Sequence, residues 1–246
     1  MNRTLVTGLV AAAAASVSFS VAEPAQAINL RPDLWSTFNS KINQERNFLQ
    51  DSQLTLLNPQ SLFWNGVDPV DVFFINEGAG YRNQLFYNTN GGSNVMIFND
   101  VSSPNSIMPD KDGALTLGQG VSLGKFTGST QLGFSIKADG FRNANGLFYG
   151  ADPTKNPDGL EHLYALEYFD AVEKQKYVLL AFEDLFGTKE QGSDRDFNDV
   201  VFVVRGIQQG APSSDVPEPS IILGMITLVG GAFALRRQTA EGQDSV

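Results

Sequence analysis

The sequence has no cysteine and only one histidine in 246 residues. Without cysteine there is no disulfide, no thiol nucleophile, no thiolate zinc site and no iron–sulfur cluster. A single histidine excludes any two-histidine metal centre. It leaves one attempt at a Ser/His/Asp triad, and no G-x-S-x-G elbow accompanies it. Basic residues are also scarce: 17 Lys+Arg stand against 27 Asp+Glu, a formal net charge of −10. A nucleic-acid binder needs a basic face, so that class is excluded. P-loop and dinucleotide-binding glycine patterns are absent as well. What is present is a 42% hydrophobic fraction with 18 Phe, enough for a packed core.

The two ends read as addresses. Arg3, an apolar alanine-rich run over residues 5–21, and Ala25-Gln26-Ala27 have the order of a secretory signal over residues 1–27. The mature chain is expected to begin at Ile28, with an uncleaved N-terminal anchor as the alternative. Near the other end, Ser213-Ser214-Asp215 precedes Val216-Pro217-Glu218-Pro219. Residues 220–235 then run for 16 positions without a charge, closed by Arg236-Arg237. As a helix that run spans about 24 Å, against a bilayer core of about 30 Å. Snorkelling arginines bridge such a deficit, and their position leaves the globular part outside.

This order of motif, short apolar helix and arginine pair resembles the PEP-CTERM sorting signal of bacteria, over residues 216–237 within an address of 216–246. The resemblance implies a secreted chain inserted in the membrane through residues 220–235 and processed by an exosortase-type enzyme. Its destination would be the cell surface or an exopolysaccharide matrix. A plain single-pass anchor is the alternative.

Residues 28–215 lie between, with 23 acidic and 14 basic side chains. No linker or fixed-period repeat divides them, so one domain is expected. Asp33 is placed to cap a helix whose apolar face carries Leu34, Phe38, Ile42 and Leu49, ending before Asn58-Pro59. Strand-like segments follow at 70–75, 84–87, 94–98, 131–137, 162–168, 177–182 and 200–204. Asn90-Gly91-Gly92 makes a hairpin loop, and Asp139-Gly140 and Asn145-Gly146 make tight turns. Residues 131–137 alternate, with Leu132, Phe134 and Ile136 on one side. Residues 200–204 are apolar throughout, as in a strand buried on both faces. The expected fold is mainly β: an antiparallel β-sandwich or jelly roll with one N-terminal helix, plus the C-terminal hydrophobic helix.

The sharpest chemistry is acidic. Glu183, Asp184, Asp194, Asp196 and Asp199, with the amide of Asn198, fall within 17 residues joining two apolar strands. Asp194, Asp196 and Asn198 are spaced by two, so all three can turn to one side. Crowded carboxylates repel and their pKa values rise unless a cation compensates. A hard cation with six to eight oxygen ligands does this, and calcium fits best. An EF-hand is rejected, since Asp199 stands where its glycine belongs and Arg205 where its glutamate belongs. The predicted metal set is Glu183, Asp184, Asp194, Asp196, Asn198 and Asp199. Alternatives are a solvated acidic rim, a charge network with Arg195 and Arg205, and paired-acid catalysis.

Three segments also carry a family resemblance. They are residues 73–83 (FFINEGAGYRN), residues 156–162 (NPDGLEH), and Phe182-Glu183-Asp184-Leu185 with residues 194–201 (DRDFNDVV). Together they resemble the domain of unknown function 4114 over roughly residues 70–205. That family occurs in secreted and surface bacterial proteins, including large adhesins. It implies an exported, calcium-dependent β-sandwich and supplies no activity.

Weaker signals have ordinary readings. Asp110-Lys111-Asp112-Gly113 is a second calcium loop or a β-turn. His162 is a ligand or a satisfied structural residue. Tyr81, Tyr87, Tyr149 and Trp64 stack on sugar rings or fill the core. The expectation is a non-enzymatic, adhesive or carbohydrate-binding protein whose calcium fixes its loops. The alternative is a polysaccharide hydrolase, which needs a cleft with two facing carboxyls about 5–10 Å apart.

Overall fold

The computed structural model describes residues 27–42 and 54–211. The signal sequence up to residue 26, Leu49 of the expected helix face, the PEP-CTERM-like motif and the hydrophobic segment 220–235 lie outside the described residues.

In chain order the elements are β1 (Ala27–Asn29), α1 (Pro32–Ile42), β2 (Thr55–Leu57), β3 (Leu62–Trp64), β4 (Val70–Asn76), β5 (Asn83–Thr89) and β6 (Val95–Val101). They continue with β7 (Gln119–Gly124), β8 (Leu132–Lys137), β9 (Phe148–Gly150), β10 (Leu163–Asp170), β11 (Gln175–Phe182), β12 (Val200–Arg205) and β13 (Ile207–Gln209). A seven-stranded sheet has the order β1-β7-β4-β12-β11-β10-β2, a four-stranded sheet the order β6-β5-β8-β9, and β3 pairs with β13. Every pairing between these strands is antiparallel. The chain is therefore mainly β with one α-helix among the described residues. No described helix is long and apolar enough to cross a membrane.

The apolar run of β12 decides the layering. Val200, Phe202 and Val204 point into one core and Val201 and Val203 into another. The first core lies between the seven- and four-stranded sheets. Phe202 tilts against Phe74 of β4 at 5.8 Å and stacks on Phe98 of β6 at 5.7 Å. Leu132, Phe134 and Ile136 of β8 enter this core, as their alternation predicts. Trp64 and Tyr149 are buried in it and Tyr87 packs against it, so of the four candidate sugar-stacking rings only Tyr81 is substantially exposed, at 41%.

The second core lies under α1, where Leu34 and Phe38 meet Phe73 and Tyr177. Trp35 Nε1 donates to the Ile75 carbonyl at 3.0 Å, fixing the helix on β4. The helix begins at Pro32, so Asp33 is not its cap. Proline suits a first helical position because its fixed φ and missing N–H cost nothing there. Asp33 instead sits in the first turn, favourable to the helix dipole, and pairs with Arg31 at 2.6 Å. Gly120 marks a close approach of strands: an added Cβ would lie 2.5 Å from the Val72 carbonyl oxygen.

Candidate metal centre

Strand β11 ends at Phe182, and the next residue, Glu183, is fully buried. Its N–H donates to the His162 carbonyl at 3.1 Å, which ties the end of β11 to the start of β10. The chain then loops out through a short 3-10 turn, Lys189–Gln191, and Gly192 reverses it at φ 106. Few other residues adopt that left-handed conformation without strain. The reversal returns Ser193 to Glu183, where its hydroxyl donates to Oε1 at 2.6 Å.

The following stretch is unusual. Arg195 and Phe197 both sit in the left-handed region, at φ 55 and 61. Each such residue costs about 1–3 kcal/mol and persists only where its surroundings hold it. Phe197 is held: its ring is buried in the second core and meets Tyr164 edge-on at 4.3 Å. Burying a Phe side chain contributes about 1.5–3 kcal/mol, the same order as the strain. With the backbone so fixed, Asp194 and Asp196 turn toward Glu183. One carboxylate oxygen from each of these three residues lies within 4.8 Å of the others. Two oxygens on one calcium ion at about 2.4 Å can be at most about 4.8 Å apart, so the spacing fits one shared ion.

The hydrogen bonding of the cluster is incomplete. Glu183 Oε2, Asp194 Oδ1 and both polar atoms of the Asn198 amide are buried without a partner. Buried polar atoms are ordinarily paired. Against the burial that raises the pKa of Glu183, the charge of Arg195 works to lower it, but no ion pair joins them and Arg195 Nη1 is itself buried without a partner. Arg195 donates to the Glu161 carbonyl and lies over the Phe197 ring at 4.9 Å, rather than pairing with Glu183 or Asp194. Arg205 pairs with Asp71 at 2.6 Å, at the far end of β12. Burial raises the pKa of Glu183, and the charges of Asp194 and Asp196 add to that. An all-oxygen donor set of this kind suits a hard cation.

Asp184 and Asp199 are oriented differently. Asp184 Oδ2 accepts from Asn83 Nδ2 at 2.6 Å. Asp199 Oδ2 accepts from the Asp184 N–H at 2.7 Å. The second of these bonds ties the two ends of the loop together. Burial pushes Asp184 up to about 7 and raises Asp199 well above the usual carboxylate range, each with neighbouring carboxylates contributing. Of the six predicted ligands, the structure thus brings together Glu183, Asp194 and Asp196, with the unpartnered Asn198 amide in the same loop.

Of the two readings open for His162, ligand or satisfied structural residue, the structure shows the second. His162 is buried, stacks on Tyr149 at 3.9 Å, and bonds through Nδ1 to the Glu183 carbonyl at 2.8 Å. Its Nε2 faces the Asp158 carboxylate at 2.9 Å, so both ring nitrogens meet acceptors. Asp158 also accepts from the Gly187 N–H at 2.8 Å. Burial works to raise the pKa of Asp158, but the hydrogen bonds from Gly187, His162 and Leu160 outweigh it and hold the pKa down. Gly78 donates to the Asn198 carbonyl at 3.1 Å. Glu77, pushed up to about 8 by burial and by the charges of Asp184 and Asp110, accepts from Ser106 at 2.9 Å. Segments 73–83, 156–162 and 182–201 therefore meet around one acidic loop. Their resemblance to one family was the available signal, although it assigned no contact. Asp110-Lys111-Asp112-Gly113 forms a turn, with Asp112 N–H on Asp110 Oδ1 at 3.1 Å and Arg142 on Asp110 Oδ2 at 3.0 Å.

Residues 126–207 match a domain of unknown function, DUF4114. The match contains the second and third of the three motifs, and the first, residues 73–83, precedes it. The DUF4114 segment supplies every predicted metal ligand, while Asn83 and Gly78 reach it from outside. No curated protein and no solved structure matches the chain.

Proposed function

We propose that this is an exported cell-surface or extracellular-matrix protein whose β-sandwich domain is stabilised by calcium and works in adhesion or carbohydrate binding. The observation that carries the metal reading is the triad of Glu183, Asp194 and Asp196, with oxygens within 4.8 Å, beside buried oxygens that have no partner. Calcium is favoured over magnesium because the loop offers carboxylates and an amide from irregular backbone, which suits a flexible shell of six to eight oxygens. Magnesium demands a tight octahedron near 2.0–2.1 Å and retains water. The address readings of residues 1–27 and 216–246 support export, exosortase-type processing and a place near extracellular polysaccharide.

A hydrolase finds less support. Glu183 and Asp196 are 0% and 1% exposed, so a polymer cannot reach them. Their oxygens also crowd one shell instead of facing each other across a cleft.

Thermal melting of the mature chain in EDTA, calcium and magnesium tests the reading. Ligand that binds only the folded state stabilises it by RT ln(1+[L]/Kd). With a Kd of about 10⁻⁴–10⁻³ M, several millimolar calcium should raise the Tm by a few degrees, and magnesium by less. Identical melting in all three would remove calcium from the account.

A further inference from the structure

The outer face of the four-stranded sheet carries a groove of about 380 Å³. Its floor follows from strand alternation. Leu85, Phe134, Ile136 and Tyr149 enter the core, so Asn88, Ser135 and Phe148 face outward. Gly133 stands opposite Asn88 and Gly150 opposite Ser135, so two floor positions have no side chain. A Cβ added at Gly150 would meet only Phe134 O at 3.4 Å and Ser135 Cβ at 3.5 Å, so nothing else of the fold fills that space.

The chemistry of this floor is specific. Ser135 Oγ is buried and has no hydrogen-bond partner. Asn88 lays its amide across Gly133, with its Oδ1 2.9 Å from where a Cβ would stand. Phe148 is 41% exposed, with its ring tilted against Phe86 at 5.2 Å and Lys137 Nζ over one face at 5.7 Å, which leaves the rest of the ring to solvent. The charged residues of the rim, Asp152 and Lys155, pair with each other at 3.4 Å. Lys137 Nζ beside the ring is tied to the Ala144 carbonyl at 2.6 Å, so the groove offers no cluster of either charge to an ionic polymer.

We infer that this groove binds a neutral saccharide, its hydroxyls meeting Asn88 and, after a χ1 turn that brings its Oγ to the surface, Ser135, and its C–H face lying on Phe148. Hydroxyl-rich, uncharged and partly apolar ligands match a concave site that combines amides, a free hydroxyl and one exposed ring. An extended peptide would instead seek an open sheet edge or a set of apolar pockets. The inference rests on the carbohydrate-binding part of the reading above and is independent of the metal. The groove is lined by none of Glu183, Asp194 or Asp196.

Affinity electrophoresis of the mature chain in calcium, through gels holding dextran, xylan, mixed-linkage β-glucan or alginate, tests it. At least one neutral polymer should retard the protein, and alginate should not. Phe148→Ala and Asn88→Ala should each weaken that retardation about ten-fold or more. Gly150→Leu, which fills the floor without entering the core, should abolish it. All three variants should keep the cooperative thermal melt of the parent, with or without calcium, which shows that they fold. Retardation that survives Phe148→Ala and Gly150→Leu in folded protein would overturn the groove while leaving carbohydrate binding in place. Retardation by no neutral polymer, or by alginate alone, would overturn both.

Discussion

Ser193 Oγ donates to Glu183 Oε1 at 2.6 Å and leaves Glu183 Oε2 buried with no partner. One hydroxyl therefore orients a buried carboxylate that shares the triad with Asp194 and Asp196. Ser193→Ala should lower the Tm of the metal-free protein, since a hydrogen bond to a charged group is worth about 1.5–3 kcal/mol. It should also weaken calcium binding severalfold by freeing the carboxylate to rotate. Isothermal titration with calcium and melting in EDTA measure the two effects separately. Unchanged calcium affinity would mean that the hydroxyl does not orient the ligand.

Replacing Asp194 and Asp196 together by Asn removes two charges at nearly constant shape. The calcium-dependent melting shift should vanish. In EDTA the double variant should melt slightly higher than the parent, because repulsion among buried carboxylates is relieved. A variant that still responds fully to calcium would place the ion elsewhere.

Metal-free stability should fall as pH rises from about 4.5 to about 8. Glu77 is held up to about 8 and Asp184 up to about 7, both chiefly by burial. Across that window the folded protein keeps protons that the unfolded chain has released. The stability these groups contribute is complete below the unfolded pKa and is lost as pH passes the folded values. Calcium prefers ionised ligands, so its stabilising increment should grow over the same range. Chemical denaturation at pH 5 and pH 8, in EDTA and in calcium, gives all four values. An EDTA stability that rises toward pH 8 would contradict this.

His162→Ala should destabilise the domain by about 2–4 kcal/mol, from the lost stack on Tyr149 and the unpaired Asp158 carboxylate. The loss should extend to calcium binding, because the ring also bonds the Glu183 carbonyl. Urea denaturation and a calcium titration check it. A calcium affinity equal to that of the parent would confine His162 to packing.

Protein recovered from the surface of its native cell should begin at Ile28 and lack the hydrophobic segment 220–235. Intact-mass analysis decides this. Surface material that all retains residue 246 would exclude exosortase processing and leave the plain anchor.

Local pattern carried much of the fold. The alternation of residues 131–137 placed Leu132, Phe134 and Ile136 inside, and the apolar run 200–204 placed β12 between two cores. Both follow from side chains pointing to opposite faces at every step, which is a property of the strand itself. The same locality confined the metal prediction to one acidic loop. It gave no way to separate Glu183, Asp194 and Asp196 from Asp184 and Asp199, because their directions depend on distant partners. Asn83, 101 positions away, draws Asp184 aside, and the Asp184 N–H occupies Asp199. The left-handed Arg195 and Phe197 were equally hidden, since their strain is tolerated only where Phe197 enters the core beside Tyr164. Composition and local pattern were enough for a β-rich, cysteine-free, acidic domain with a charged loop between two buried strands. Which carboxylates converge was set by hydrogen bonds and packing between segments far apart in the chain, which no local pattern encodes.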